Sequence, residues 1–136
     1  MEIITLTGPQ DRAKVVSALH GFAKAQNLPA EALQAMDLAL EEHLTNVLRD
    51  GYEPGAQVDV RITFEVSEGN FVIEVADTGK AYNPLERPPP DFTIPLEERP
   101  IGGLGIHLMR QFTDELAYRR EDGRNILCMS KRLAAN

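Results

Sequence analysis

The chain reads as an α+β protein: a two-layer sandwich in which helices cover one face of a mostly antiparallel mixed sheet. Three observations predict it. Two stretches of helical periodicity, 10–26 and 30–50, come early and close together. Two alternating stretches then follow as hairpins, the first pairing 57–66 with 70–77 and the second beginning at Asp114. Helices and hairpins are segregated instead of interleaved, which suits helices packed on one side of an antiparallel sheet and not a parallel βαβ fold.

Taken in order, Met1 to Thr7 alternates weakly and is short enough for an edge strand, ended by Gly8-Pro9. Val15, Val16, Leu19, Phe22 and Ala23 then recur at helical spacing, and Asn27-Leu28-Pro29 breaks the run. In the second helix Leu33, Met36, Leu40, Leu44 and Val47 form an apolar stripe, and Gly51 followed by Pro54-Gly55 ends it. Val58, Val60, Ile62, Phe64 and Val66 alternate with charged and polar residues, as a strand with one wet face does. Ser67-Glu68-Gly69-Asn70 is a hairpin turn, and Phe71, Ile73 and Val75 resume the alternation up to Asp77. Residues 83–100 hold six of the nine prolines, so no regular element runs through them; an internal lid is expected there. Ile106, Leu108, Met109 and Phe112 give a short helix, and Glu121-Asp122-Gly123-Arg124 turns the second hairpin. Ile126, Cys128 and Ser130 alternate with Leu127 and Met129 in a strand apolar on both faces, which places it inside the sheet.

A chain of 136 residues suits one domain, 1–136, with one core, and 43% hydrophobic with 26% charged residues is a globular composition. The net charge of −7 argues against nucleic acid and anionic membrane as partners, because neither polyanion gains from an acidic surface. The single cysteine, Cys128, cannot form an internal disulfide and reads as a buried core thiol. No apolar run has signal-peptide or membrane-spanning length, so a cytoplasmic protein is expected. His20, His43 and His107 match no zinc spacing, and His43, on the apolar flank of its helix, reads as a core histidine.

Glu42, Asn46 and Asp50 stand four residues apart and line one wall of the second helix. Alone they make a solvated edge. An amide oxygen such as that of Asn46 is also a hard ligand for Mg²⁺, and Glu42 one turn earlier is placed to take a proton from an attacking hydroxyl. Asp77-Thr78-Gly79 ends a strand. It is either a plain turn or a carboxylate that accepts from an exocyclic amine beside a glycine that admits a flat base. Gly102-Gly103-Leu104-Gly105 runs into a helix, where backbone N–H groups and the helix dipole favour an anion such as phosphate. It is neither a P-loop nor a dinucleotide fingerprint, since the lysine of one and the third glycine of the other are missing.

In this order the three motifs resemble the Bergerat-type ATP-binding fold of the gyrase, Hsp90, histidine-kinase and MutL (GHKL) superfamily. Within it, residues 10–133 are similar to the single-domain anti-sigma-factor serine/threonine kinases of bacterial partner switching. The resemblance implies roles for each motif. Glu42 to Asn46 would be the first box, with Glu42 as base and Asn46 as Mg²⁺ ligand. Asp77, Gly79 and Ala81 would be the adenine box, in which the second glycine is replaced by Ala81. Gly102, Gly103, Leu104 and Gly105 would be the phosphate box that closes the lid. A second departure is Asp50, where the family commonly has a basic residue or histidine. The implied cofactors are ATP and Mg²⁺. The implied partners are a STAS-type anti-anti-sigma protein as substrate, a sigma factor or similar regulator as ligand, and a second copy in a homodimer. The departures motivate an alternative, a nucleotide-responsive binding module without catalysis. Tyr82 is either a cover for the base or an anchor for the lid.

Overall fold

The computed structural model describes residues 1–86, 93, 95 and 103–133. The Pro-rich lid expected at 83–100 therefore lies mostly outside the described residues, as does Gly102. Strand β1 (Glu2–Leu6) leads through a 3-10 turn, Pro9–Asp11, into α1 (Arg12–Ala25). The Asp11 carboxylate fixes that entry, accepting from Thr7 N at 2.9 Å and Thr7 Oγ1 at 3.0 Å. These bonds hold its carboxyl below the usual range, the backbone one first. Asn27 ends α1 in the left-handed region at φ 55, with Leu28 N donating to Ala23 O at 2.9 Å, the bond of an Asn-closed Schellman motif.

Helix α2 (Ala30–Asp50) follows with the bounds its periodicity predicts. Gly51 closes it at φ −82 without a left-handed turn, donating its N–H to Val47 O. Arg12 straps α1 to α2 by donating to Glu41 Oε1 at 3.1 Å and to Thr45 Oγ1 at 3.2 Å.

The remaining elements are β2 (Val60–Ser67), β3 (Asn70–Asp77), α3 (Gly103–Phe112), β4 (Glu115–Glu121) and β5 (Arg124–Arg132). The sheet runs β1-β2-β3-β5-β4, with β1 at an edge and β5 in the interior as expected. All four pairings are antiparallel, so the described sheet holds no parallel pair of the mixed kind. Strand β2 starts at Val60 and not at 57, because the backbone of Asp59 is engaged by the Tyr52 hydroxyl, which donates to its carbonyl at 3.0 Å and accepts from its N–H. Both hairpins turn through two residues of positive φ, Glu68-Gly69 (51 and 80) and Asp122-Gly123 (52 and 76), the geometry that matches strand twist.

The inward phase of the strands carries Val60, Ile62, Phe64, Phe71, Ile73, Val75, Leu127 and Met129, all buried. They form one cluster with Val15, Leu19 and Phe22 of α1, Met36, Leu40 and Leu44 of α2, and Ile106 and Met109 of α3. Helices thus cover one face. Cys128 departs from expectation: it sits in the opposite phase, half-buried on the uncovered face beside Glu74 and Ala117. Partial burial, with Glu74 nearby, raises its thiol pKa. Among the described residues no helix is long and apolar enough to cross a membrane.

Candidate functional site

A cavity of about 540 Å³ opens where β3 ends and β5 begins, against the C-terminal half of α2. Its size lies in the range of small-ligand sites. From α2 it takes His43, Asn46 and Asp50; from β3, Asp77; from the following loop, Lys80 and Tyr82; from the second hairpin, Tyr118 and Asn125.

Asp77 occupies the inward phase of β3, directly after Ile73 and Val75, and is 3% exposed. One carboxylate oxygen, Oδ1, accepts from Gly79 N at 2.9 Å and from Asn125 Nδ2 at 3.0 Å. Burial raises its carboxyl above the usual range, while the bonds from Asn125 and Gly79 and the charges of Arg120 and Arg124 pull the other way. Among the described residues no donor is recorded on Oδ2. A buried carboxylate with one saturated oxygen and one open oxygen, on the wall of a cavity, is an acceptor for a ligand N–H.

Asn125 is the polar residue opposite. It pairs across the ladder with Asp77 and is 7% exposed. Its oxygen accepts from Tyr118 OH at 2.6 Å, Arg120 Nη1 at 3.0 Å and Tyr82 N at 3.2 Å. Its amide nitrogen donates to Lys80 O at 2.9 Å as well as to Asp77.

On α2, Glu42 is half-buried, and the third motif reaches it. A Cβ added to Gly105 would lie 2.8 Å from Glu42 Oε2 and 3.7 Å from Asn46 Nδ2. A side chain at 105 would therefore strike the Glu42 carboxylate, so the glycine permits that approach. Asn46 lines the cavity, with Oδ1 accepting from Arg49 Nη2 at 3.1 Å and Nδ2 buried without a partner among the described residues. Asp50 holds the same guanidinium, at 2.8 Å. Its carboxylate thus faces a charge of opposite sign within the wall. His43 is 5% exposed, and both ring nitrogens lack partners among the described residues. Burial drives its pKa down to about 4, so the ring is neutral at ordinary pH.

Gly79 joins the motifs from the other side. A Cβ there would lie 2.7 Å from Gly51 O and 3.0 Å from Asp77 Oδ1, and Lys80 N donates to Gly51 O at 2.9 Å. The end of α2 is thereby seamed to the Asp77 loop. Ala81 is exposed, does not line the cavity, and is not among the residues of positive φ, so its methyl costs nothing. Gly103 and Leu104 are the first residues of α3. Tyr82 lines the cavity and is partly exposed.

Sequence reasoning passed over Asn125, Tyr118 and Arg49. Asn125 carried a readable signal: it shares the phase of Leu127 and Met129, so a polar group was placed where the pattern buries side chains. Arg49 gave none, because its role depends on which neighbour its long side chain meets.

The chain belongs to the histidine kinase-like ATPase domain family, whose model matches residues 8–131. Within that class it is similar to protein serine/threonine kinases. The serine/threonine-protein kinase BtrW of Bordetella bronchiseptica is 30% identical over 99 residues, covering 73% of this chain and 70% of BtrW. The serine-protein kinase RsbW of Bacillus thuringiensis is 28% identical over 111 residues, covering 79% and 69%. These relatives make the chain a member of the kinase class. In solved structures the fold is shared with a Mycobacterium tuberculosis chain carrying RsbU and RsbW domains (TM-score 0.65, 13% identity, all of this chain and 34% of that one). It is shared also with the Acinetobacter baumannii histidine kinase AdeS (TM-score 0.52, 13% identity, 99% and 69%).

Proposed function

We propose that the chain is an ATP-dependent serine/threonine kinase acting in the cytoplasm, which phosphorylates a STAS-type anti-anti-sigma protein and binds a sigma factor or similar regulator. The observation that carries the reading is the approach of Gly105 to Glu42 and Asn46, of which Asn46 lines the cavity that also holds Asp77, while Glu42 and Gly105 stand behind its lining. Two of the motifs touch through Gly105 and Glu42, and Asn46 shares the cavity with Asp77 of the third, which supports the reading.

In this reading Asp77 Oδ2 accepts from the exocyclic amine of adenine, and backbone N–H groups in the first turn of α3 hold phosphate oxygens. Glu42 accepts the proton of the substrate hydroxyl as its oxygen attacks the γ-phosphorus; the bond to the β,γ-bridging oxygen breaks, and ADP leaves. Magnesium suits the amide of Asn46: a single hard oxygen at the cavity wall leaves room for the water and phosphate oxygens that Mg²⁺ keeps. Bound through Asn46 Oδ1, it would supply neutralising charge on the phosphates. Arg49 must then leave that oxygen.

The test is phosphotransfer from Mg-ATP to a STAS protein encoded beside this chain. Glu42→Ala is expected to lower the rate by about 10²-fold or more while nucleotide still binds. Transfer at the wild-type rate removes Glu42 from its role. The hold of Arg49 and Asp50 on the wall around Asn46 favours a second reading, a nucleotide-responsive binding module. Binding of ATP without any product in the presence of the partner selects it.

A further inference from the structure

We propose that Asn125 is the positioning residue that makes this cavity select a 6-aminopurine over a 6-oxopurine. The inference rests on the nucleotide reading and deepens it.

Selection between these bases is a matter of aim. A 6-aminopurine offers an N–H at C6. A 6-oxopurine offers a carbonyl there and an N–H at the neighbouring ring position. A carboxylate free to swing satisfies either base by turning to whichever atom donates. A carboxylate whose second oxygen is tied down meets one position only, and a carbonyl in that position is repelled.

Asp77 is tied in this way. Gly79 N and Asn125 Nδ2 both donate to Oδ1, and these are the bonds that fix the rotation of the carboxylate. Asn125 cannot turn its own amide over. Three acceptors surround Nδ2: Asp77 Oδ1 at 3.0 Å, Lys80 O at 2.9 Å and Gly79 O at 3.4 Å. Three donors surround Oδ1: Tyr118 OH, Arg120 Nη1 and Tyr82 N. A reversed amide would set donor against donor at Arg120 and Tyr82 N and acceptor against acceptor at Asp77, Lys80 O and Gly79 O; only the Tyr118 hydroxyl could turn to accept. The network also reaches beyond the carboxylate. Through Lys80 O and Tyr82 N, Asn125 fixes the loop that carries Tyr82 into the cavity, and through Tyr118 OH it fixes the facing aromatic. One buried amide sets the acceptor, the loop and a ring around the base subsite.

Arg120 and Arg124 act on Asp77 and favour its ionised form, and the cavity it lines also carries Arg49, Asp50, Lys80 and the neutral ring of His43. Asn125→Asp is nearly isosteric, keeps an acceptor toward Tyr118, Tyr82 and Arg120, and replaces the donor to Asp77 by a like charge. The two carboxyls must then share a proton, which pushes the protonation of Asp77 to higher pH.

The experiment measures affinity for ATP and for ITP, which differ in the C6 group, on the wild type and on Asn125→Asp and Tyr118→Phe across pH 5–8. The wild type is expected to prefer ATP. Asn125→Asp is expected to lower the ATP/ITP ratio about tenfold and to move the acid limb of ATP binding to higher pH. Tyr118→Phe, which removes one bond to the Asn125 carbonyl, lowers the ratio about threefold. It also serves if Asn125→Asp fails to fold, as judged by circular dichroism. A wild type that binds neither nucleotide overturns the nucleotide reading and this inference with it. A wild type that binds both equally, or variants that lose both affinities together with the ratio and acid limb unmoved, overturns the role of Asn125 alone.

Discussion

The two ends of the sheet use the same strands and the same inward phase, yet hold opposite chemistry. At the end near the first hairpin, Phe64 and Phe71 face inward and pack on Phe22 of α1, with ring centroids 5.8 and 5.7 Å apart. At the other end the same phase delivers Asp77 and Asn125, joined at 3.0 Å, with the ring of His43, which has no hydrogen-bond partner among the described residues, on the cavity wall. The apolar end gains free energy from burial; the polar end must satisfy each buried group or leave it to a ligand. On the proposed nucleotide reading, stability and recognition are lodged at opposite ends of one layer.

The largest test of that division is Phe64→Ala. It should cost about 3–5 kcal/mol of stability in urea unfolding, from lost burial and the cavity left behind. Nucleotide affinity of the folded protein should stay within about twofold. A matching loss of affinity would join the two ends energetically.

Acid comes next. His43 has a folded pKa of about 4 against 6.5 in the unfolded chain, so the unfolded state takes up the proton first. The effect is absent above about pH 6.5, grows as pH falls, and is complete near pH 4, where it has removed about 3 kcal/mol. The difference between unfolding curves of wild type and His43→Leu should show this slope. Parallel curves from pH 7 to 4 would mean that the ring finds a hydrogen-bond partner on protonation.

The smallest effect sharpens the comparison most. Gly69→Ala and Gly123→Ala each force a methyl onto a left-handed turn, at φ 80 and 76, and should each cost about 1 kcal/mol. Only Gly123→Ala should also weaken nucleotide binding, because Asn125 is two residues away and Gly69 lies at the far end of the sheet. Equal effects on affinity would mean that the site does not depend on the local geometry of the second hairpin.

The elements were legible because periodicity is local. The apolar stripe of α2 ran from 30 to 50 as the structure has it, and both hairpins followed from alternation and glycine turns. Where other groups claim the backbone, local pattern misled: Tyr52 delays β2, and Asp11 with Thr7 turns the start of the first helix into a 3-10 entry. Cys128 was misplaced because a strand apolar on both sides gives no phase, and only the register against Glu74 and Ala117 settles its face. At the site, Asn46 and Asp77 were readable as types and spacings. Asn125 could be read only as a polar group in a buried phase, because what it does lies in contacts to residues 43 to 48 positions away.

The close approach of Gly79 to Gly51 bears on how freely the sequence can drift. With Gly51 O only 2.7 Å from any Cβ at position 79, that glycine is held by its neighbour's backbone and not by its own dihedral angles. Two residues later Ala81 points outward with ordinary backbone geometry. The two glycines of the motif are therefore under unequal constraint. The first is fixed by the helix end it touches, and the second can be alanine without disturbing that seam. Substitution at 79 must therefore displace the helix end, whereas substitution at 81 meets only solvent.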